Sequence, residues 1–136
     1  MIDLYLDIDG VLLTKHNTTI AEYADEFIKF VCINFNCYWL TTHCKADTNT
    51  SLDYLAPYFE HLMDYLSKIK PSPQIWETLK TEGIDFSRKF YWIEDNPFMA
   101  EKKILKEYGC VNSLIEVNLN RPNELKNIIS LLQKYL

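Results

Sequence analysis

Four short runs rich in β-forming residues recur along the chain, and helical periodicity fills the gaps between them. The runs cover residues 2–8 (IDLYLDI), 37–41 (CYWLT), 89–93 (KFYWI) and 113–117 (SLIEV). Their lengths and composition suit buried strands. Ile20, Tyr23, Ala24, Phe27, Ile28 and Val31 follow the spacing of an amphipathic helix, and Thr19 with Glu22 predicts a capping box at its start. Residues 43–69 read as one or two helices broken near Pro57. Ser72-Pro73 predicts the N-cap and first position of another helix, with Ile75, Trp76 and Leu79 on one face. Asn96-Pro97 starts a helix that Gly109 ends, and Leu125, Ile128, Ile129 and Leu132 mark a closing one. Strands alternating with helices imply parallel strands joined by crossovers, with helices on both faces. The expected fold is therefore an α/β three-layer sandwich around a central parallel sheet, with residues 1–136 as a single domain.

The totals narrow the partners. A formal charge of −5 leaves no basic stripe for nucleic acid. It does not exclude a phosphorylated substrate, because a bound divalent cation dominates the field of an acidic site. No apolar run reaches the roughly 18–20 residues that span a bilayer, and no basic region followed by an apolar stretch marks a signal peptide. Cys32, Cys37, Cys44 and Cys110 form no CxxC pair. Reduced thiols in a cytoplasmic protein are the expectation.

In parallel sheets of this kind, ligands bind beyond the carboxyl ends of the strands. Three proposed strands end in residues suited to phosphate chemistry: Asp7-Ile8-Asp9-Gly10, Thr41-Thr42 and Glu94-Asp95-Asn96. A buried, unpaired carboxylate costs several kcal/mol, roughly, so carboxylates converging at strand ends point to a bound cation. Asp7 and Asp9 would diverge along a continuing strand. A bend at Gly10 lets one carboxylate serve as nucleophile while the other acts as acid and base.

These strings resemble the haloacid dehalogenase superfamily, whose members are mostly phosphatases. DIDGVL matches its first motif, YWLTT is similar to its second and FYWIEDN to its fourth, in the same order along residues 3–97. The resemblance implies a Rossmann-like sheet and a Mg²⁺-dependent phosphohydrolase. Asp7 would form an aspartyl-phosphate, and Asp9 would protonate the leaving oxygen and then activate water. Thr41 would bond a phosphoryl oxygen. Asp95 would join Asp7 and the backbone carbonyl of Asp9 around Mg²⁺, a hard ion that prefers oxygen ligands. Many relatives show two aspartates in the fourth motif. Here the first is Glu94, expected to stand behind the metal or to reach it through water. Gly10, Thr42 and His43 are expected to face substrate, although a loop histidine such as His43 is more often solvated.

The family's lysine has two candidates. Lys70 lies in KPSPQIW, and Lys80 lies in WETLKTEGID, closer to the acidic pair. An unbroken helix from Pro73 to Glu82 would carry Lys80 about 10 Å down its axis and favour Lys70. A short helix restarting near Thr81 would favour Lys80, as does the string itself. Asp3 and Asp85 read as surface residues or caps, and Glu22, Asp25 and Glu26 as solvated helix charges. Trp39, Trp76 and Trp92 read as core.

Members of the superfamily usually carry a cap domain. Residues 10–40 hold little beyond one helix, and the stretch after Thr42 is too short for a sizeable cap. An open site follows, suited to a large phosphorylated substrate such as a phosphoprotein or a nucleic-acid end, the latter disfavoured by charge. Two other classes remain: a phospho-acceptor or metal-binding regulatory module, and a degenerate phosphatase with a binding role.

Overall fold

The strand nearest the N-terminus lies at the centre of the sheet. In the computed structural model, which describes residues 1–44 and 47–136, five parallel strands run β3-β2-β1-β4-β5. They are β1 (Asp3–Leu6), β2 (Asn36–Trp39), β3 (Lys70–Pro71), β4 (Phe90–Glu94) and β5 (Leu114–Glu116). The register sets Leu6 beside Trp39 on one side and Ile93 on the other. The chain winds outward from β1 through β2 to β3, then crosses back to β4 and β5. Strand order therefore reverses at β1 and β4, the position where α/β sheets open a crevice.

Period-two alternation gives the central strands β1 and β4 two buried faces. Leu4, Leu6, Trp39, Tyr91 and Ile93 pack on one side, beneath α1 (Ala24–Asn34), α2 (Asn49–Phe59), α3 (Met63–Leu66) and α5 (Glu124–Gln133). Tyr5, Leu40, Phe90 and Trp92 pack on the other with Trp76, Ile84 and Leu105, the last from α4 (Met99–Glu107). The Rossmann-like three-layer arrangement, with no large cap among the described residues, agrees with the sequence. Trp39, Trp76 and Trp92 are buried as expected. The four cysteines are free, and no described helix is long and apolar enough to cross a membrane.

Local expectations fail where long-range partners win. The Thr19–Glu22 capping box does not form. The Glu22 carboxylate accepts the Asn123 N–H (2.8 Å), and Thr19 pairs with Thr14 through their hydroxyls (2.9 Å). The helix begins at Ala24 after Tyr23, whose φ is +63°. Asp25 is likewise no plain solvated charge, since its carboxylate lies 2.7 Å from His61 Nε2. Pro57 sits inside α2, and a 3-10 helix (Glu60–Leu62) follows Phe59.

The helix expected from Ser72-Pro73 is absent. Instead Glu82 Oε1 accepts the N–H groups of Glu77, Thr78 and Leu79 (3.0, 3.0 and 3.3 Å), satisfying amides that a helix would have bonded internally. The chain then restarts as a 3-10 helix, Lys80–Gly83. The fifth strand, Lys70–Pro71, has no sequence signature because it is only two residues long, and its proline is tolerated at a sheet edge. Asp3, expected at the surface, is fully buried. It accepts from Arg88 Nε and Asn36 Nδ2, both at 3.0 Å.

Helix α4 starts at Met99 rather than at Asn96-Pro97, and Glu101 fixes that start. Its Oε1 accepts the Phe98 N–H (2.8 Å) while its Oε2 accepts the Lys80 N–H (2.7 Å). This buried carboxylate ties the 3-10 helix to the N-terminus of α4. Glu101→Ala orphans both amides and is expected to cost about 2–4 kcal/mol in urea unfolding. A change within about 0.5 kcal/mol would show that the two segments hold position without it.

Candidate active site

Asp7 leaves the end of β1, and its Oδ1 accepts the Ile8 N–H at 2.8 Å. Glu94 ends β4 alongside, with Asp95 next in the chain. The carboxylates of Asp7, Glu94 and Asp95 each offer an oxygen within 4.8 Å of the others. Lys80 Nζ lies 2.6 Å from Glu94 Oε1 and 3.3 Å from Asp7 Oδ2. Lys70 sits elsewhere, on edge strand β3 with its amine 5.0 Å from the Tyr38 ring centroid. The broken geometry of residues 72–79 thus delivers Lys80 to the carboxylates.

Gly10 makes the bend between Asp9 and the next loop. Its φ is +84°, and a Cβ there would overlap the carboxyl group of Asp95. Both requirements select glycine. Asp9 finds its side-chain partners in the segment after β2. Its Oδ1 accepts the Tyr54 hydroxyl at 2.8 Å, and its Oδ2 lies 2.8 Å from His43 Nε2. His43 is therefore not a plain solvated histidine: it stacks on Tyr54 with centroids 3.9 Å apart. Thr41 is buried, with its hydroxyl oxygen accepting the His43 N–H at 3.4 Å, whereas Thr42 lines the open cavity.

That cavity, about 440 Å³, covers the strand ends. Asp7, Asp9, Lys15, Thr42, Lys80 and Asp95 line its polar part, and Trp76 and Phe98 form an apolar wall. Phe98 is 56% exposed, so the wall is reachable from solvent. Three residues at the site carried no signal in the sequence. Lys15 reaches Asp95 Oδ2 at 2.8 Å from an irregular loop. Tyr54 meets Asp9 from a helix far along the chain, and Glu101 anchors Lys80 through its backbone. Each depends on tertiary proximity that no local pattern encodes.

The charges explain the protonation directions. Burial works against the Lys80 cation, but the negative charges of Asp7 and Glu94 outweigh it and raise its pKa. Burial, then Asp7, pushes the Glu94 carboxyl up against the pull of Lys80. Burial also raises Asp95, opposed by the hydrogen bond from Lys15, which itself is held more firmly protonated by that bond. Burial and the Asp9 carboxylate push Tyr54 up to about 12, keeping its hydroxyl a donor at neutral pH.

Compared with family models and with curated proteins, the chain matches none. The site is therefore read from its own chemistry. The donor set is all oxygen, as a hard divalent cation requires. Among the described residues Asp95 Oδ1 is buried without a hydrogen-bond partner, an unsatisfied acceptor on a member of that cluster. Glu94 is more fully engaged. Besides Lys80, its Oε2 accepts the N–H groups of Asp95 (3.1 Å) and Asn96 (3.2 Å). These residues fit a cation held mainly by Asp7 and Asp95, with Glu94 orienting Lys80 and the loop.

Gly10→Ala should displace Asp95 and strain the loop, at a cost of about 1–3 kcal/mol in urea unfolding. An unchanged midpoint would contradict the close approach of Gly10 to Asp95.

Proposed function

We propose that the protein is a Mg²⁺-dependent phosphomonoesterase of the haloacid dehalogenase type, with Asp7 as nucleophile. The observation that carries this reading is the convergence of Asp7, Asp9, Lys80 and Asp95 on one cavity at the switch point of the sheet. The motif resemblance supports it independently, because each motif falls at a strand end facing that cavity.

Asp7 holds Oδ1 against the Ile8 amide, and its Oδ2, which faces the Lys80 amine, is the oxygen assigned to attack. That oxygen forms a bond to phosphorus as the bond to the leaving oxygen breaks, and Asp9 gives its proton to the leaving group. In the second half Asp9, now a carboxylate, takes a proton from water, whose oxygen attacks phosphorus and releases Asp7. Lys80 neutralises charge between Asp7 and the phosphoryl oxygens, held in place by Glu94 and by Glu101 at its backbone. Thr41, expected to bond a phosphoryl oxygen, is buried and does not line the cavity, so in this reading the role passes to Thr42, which does. Bound by Asp7, Asp95 and the Asp9 carbonyl, Mg²⁺ would supply electrostatic stabilisation of the transferring phosphoryl group. A cavity with no large cap suits a bulky phosphorylated substrate.

A regulatory phospho-acceptor is the second reading. It would need Asp7 to hold its phosphate, and the presence of Asp9 nearby as a base disfavours a long-lived acyl phosphate.

The test is hydrolysis of p-nitrophenyl phosphate with Mg²⁺ and after chelation. Asp7→Asn should abolish turnover, and Lys80→Ala should lower kcat by about 100-fold or more. Lys70→Ala should stay within about twofold of wild type, as expected of a residue remote from the reacting atoms. Equal rates for wild type and Asp7→Asn would sink the nucleophile assignment. A larger loss in Lys70→Ala than in Lys80→Ala would reverse the choice of lysine.

A further inference from the structure

Asp9 is gripped from outside the sheet. One of its oxygens accepts the Tyr54 hydroxyl and the other meets His43 Nε2, both at 2.8 Å. The two rings lie parallel within 12°, and Tyr58 packs edge-on against Tyr54 with centroids 6.5 Å apart. Tyr54 and Tyr58 stand on α2 and His43 in the turn after β2, so both partners of Asp9 come from the connection between β2 and β3. A carboxylate beside a glycine bend has two free side-chain torsions. Hydrogen bonds to both oxygens remove that freedom, and the aromatic stack keeps the donors together.

We infer that His43 and Tyr54 are positioning residues that hold the Asp9 carboxyl where it protonates the leaving oxygen. The inference rests on the phosphohydrolase reading of the site. Each Asp9 oxygen keeps a lone pair beyond the one used in its contact, and the transferred proton resides on one of these. As the Asp7–phosphorus bond forms and the bond to the leaving oxygen breaks, that proton passes to the leaving oxygen and Asp9 becomes a carboxylate.

This role separates leaving groups. An alkoxide must be protonated as it departs, whereas p-nitrophenolate departs unaided. Losing the grip on Asp9 should therefore slow alkyl esters selectively, while a merely structural defect would slow both classes alike. The experiment measures kcat/KM for glycerol phosphate and p-nitrophenyl phosphate with the Mg²⁺-loaded wild type, Tyr54→Phe, His43→Ala and His43→Gln. Tyr54→Phe and His43→Ala should each lower the glycerol phosphate value about tenfold or more and the aryl value less than about threefold. His43→Gln, whose amide can donate to the same oxygen, should recover most of the loss. Equal losses on both esters, or none, would overturn the inference.

A second measurement does not depend on turnover. Crystals of the wild type should show Asp9 in one rotamer, and crystals of the Tyr54→Phe, His43→Ala double variant should show several. A single unchanged rotamer in the double variant overturns the positioning role. A wild type that hydrolyses neither ester counts against the proposed function, while the crystallographic comparison still decides whether the pair holds Asp9.

Discussion

Three carboxylates, Asp7, Glu94 and Asp95, crowd one end of the sheet, two of them buried, and their mutual repulsion is the constraint the neighbouring structure answers. At the effective dielectric of such sites, like charges a few ångströms apart repel by several kcal/mol, roughly, unless counter-charge is built in. Lys80 supplies it between Asp7 and Glu94, and Lys15 supplies it at Asp95. Burial, with Asp7 beside Glu94 and Glu94 beside Asp95, pushes both carboxyl groups above their ordinary values against the pull of the two lysines. That upward push, together with the unsatisfied Asp95 Oδ1, is what a divalent cation would relieve.

Holding Lys80 there takes structure well beyond the site. Its amine is fixed by Glu94 and its amide by Glu101, which also starts α4. Glu82 gathers three amides so that residues 77–79 can run without helical bonds and bring the 3-10 helix to the strand ends. Gly83 belongs to the same arrangement: a Cβ there would lie 3.1 Å from Leu40 and Trp76 atoms. Charge neutralisation, loop path and helix start are one connected network, and a defect in any of them reaches Lys80.

How much of this the sequence disclosed follows from the range of the interactions involved. β1 and β4 are legible because strands buried on both faces read as apolar runs, and β2 and β5 because they are short runs of β-forming residues; the acidic and threonine-bearing strand ends follow. The two-residue β3 was not legible, since so short a run carries no periodicity. Ser72-Pro73 looked like a helix start because an N-cap pattern is local, while the Glu82 contacts that replace the helix come from residues further on. Lys70 and Lys80 could not be separated without the path of that segment. Asp3 looked like a surface residue because its partner Arg88 lies far along the chain. Tyr54 falls within the helical stretch of residues 43–69 and His43 in a loop, and only the fold brings them together over Asp9.

The central claim is that Asp7 itself takes the phosphoryl group. Acid-quenching the Mg²⁺-loaded protein during turnover of p-nitrophenyl phosphate, then digesting it and mapping the phosphoryl group by mass spectrometry, addresses this directly. Phosphate is expected on the peptide containing residues 1–15, localised to Asp7 and lost in Asp7→Asn. Turnover with no phosphoryl group on Asp7, or with the group on Asp9 instead, would contradict it.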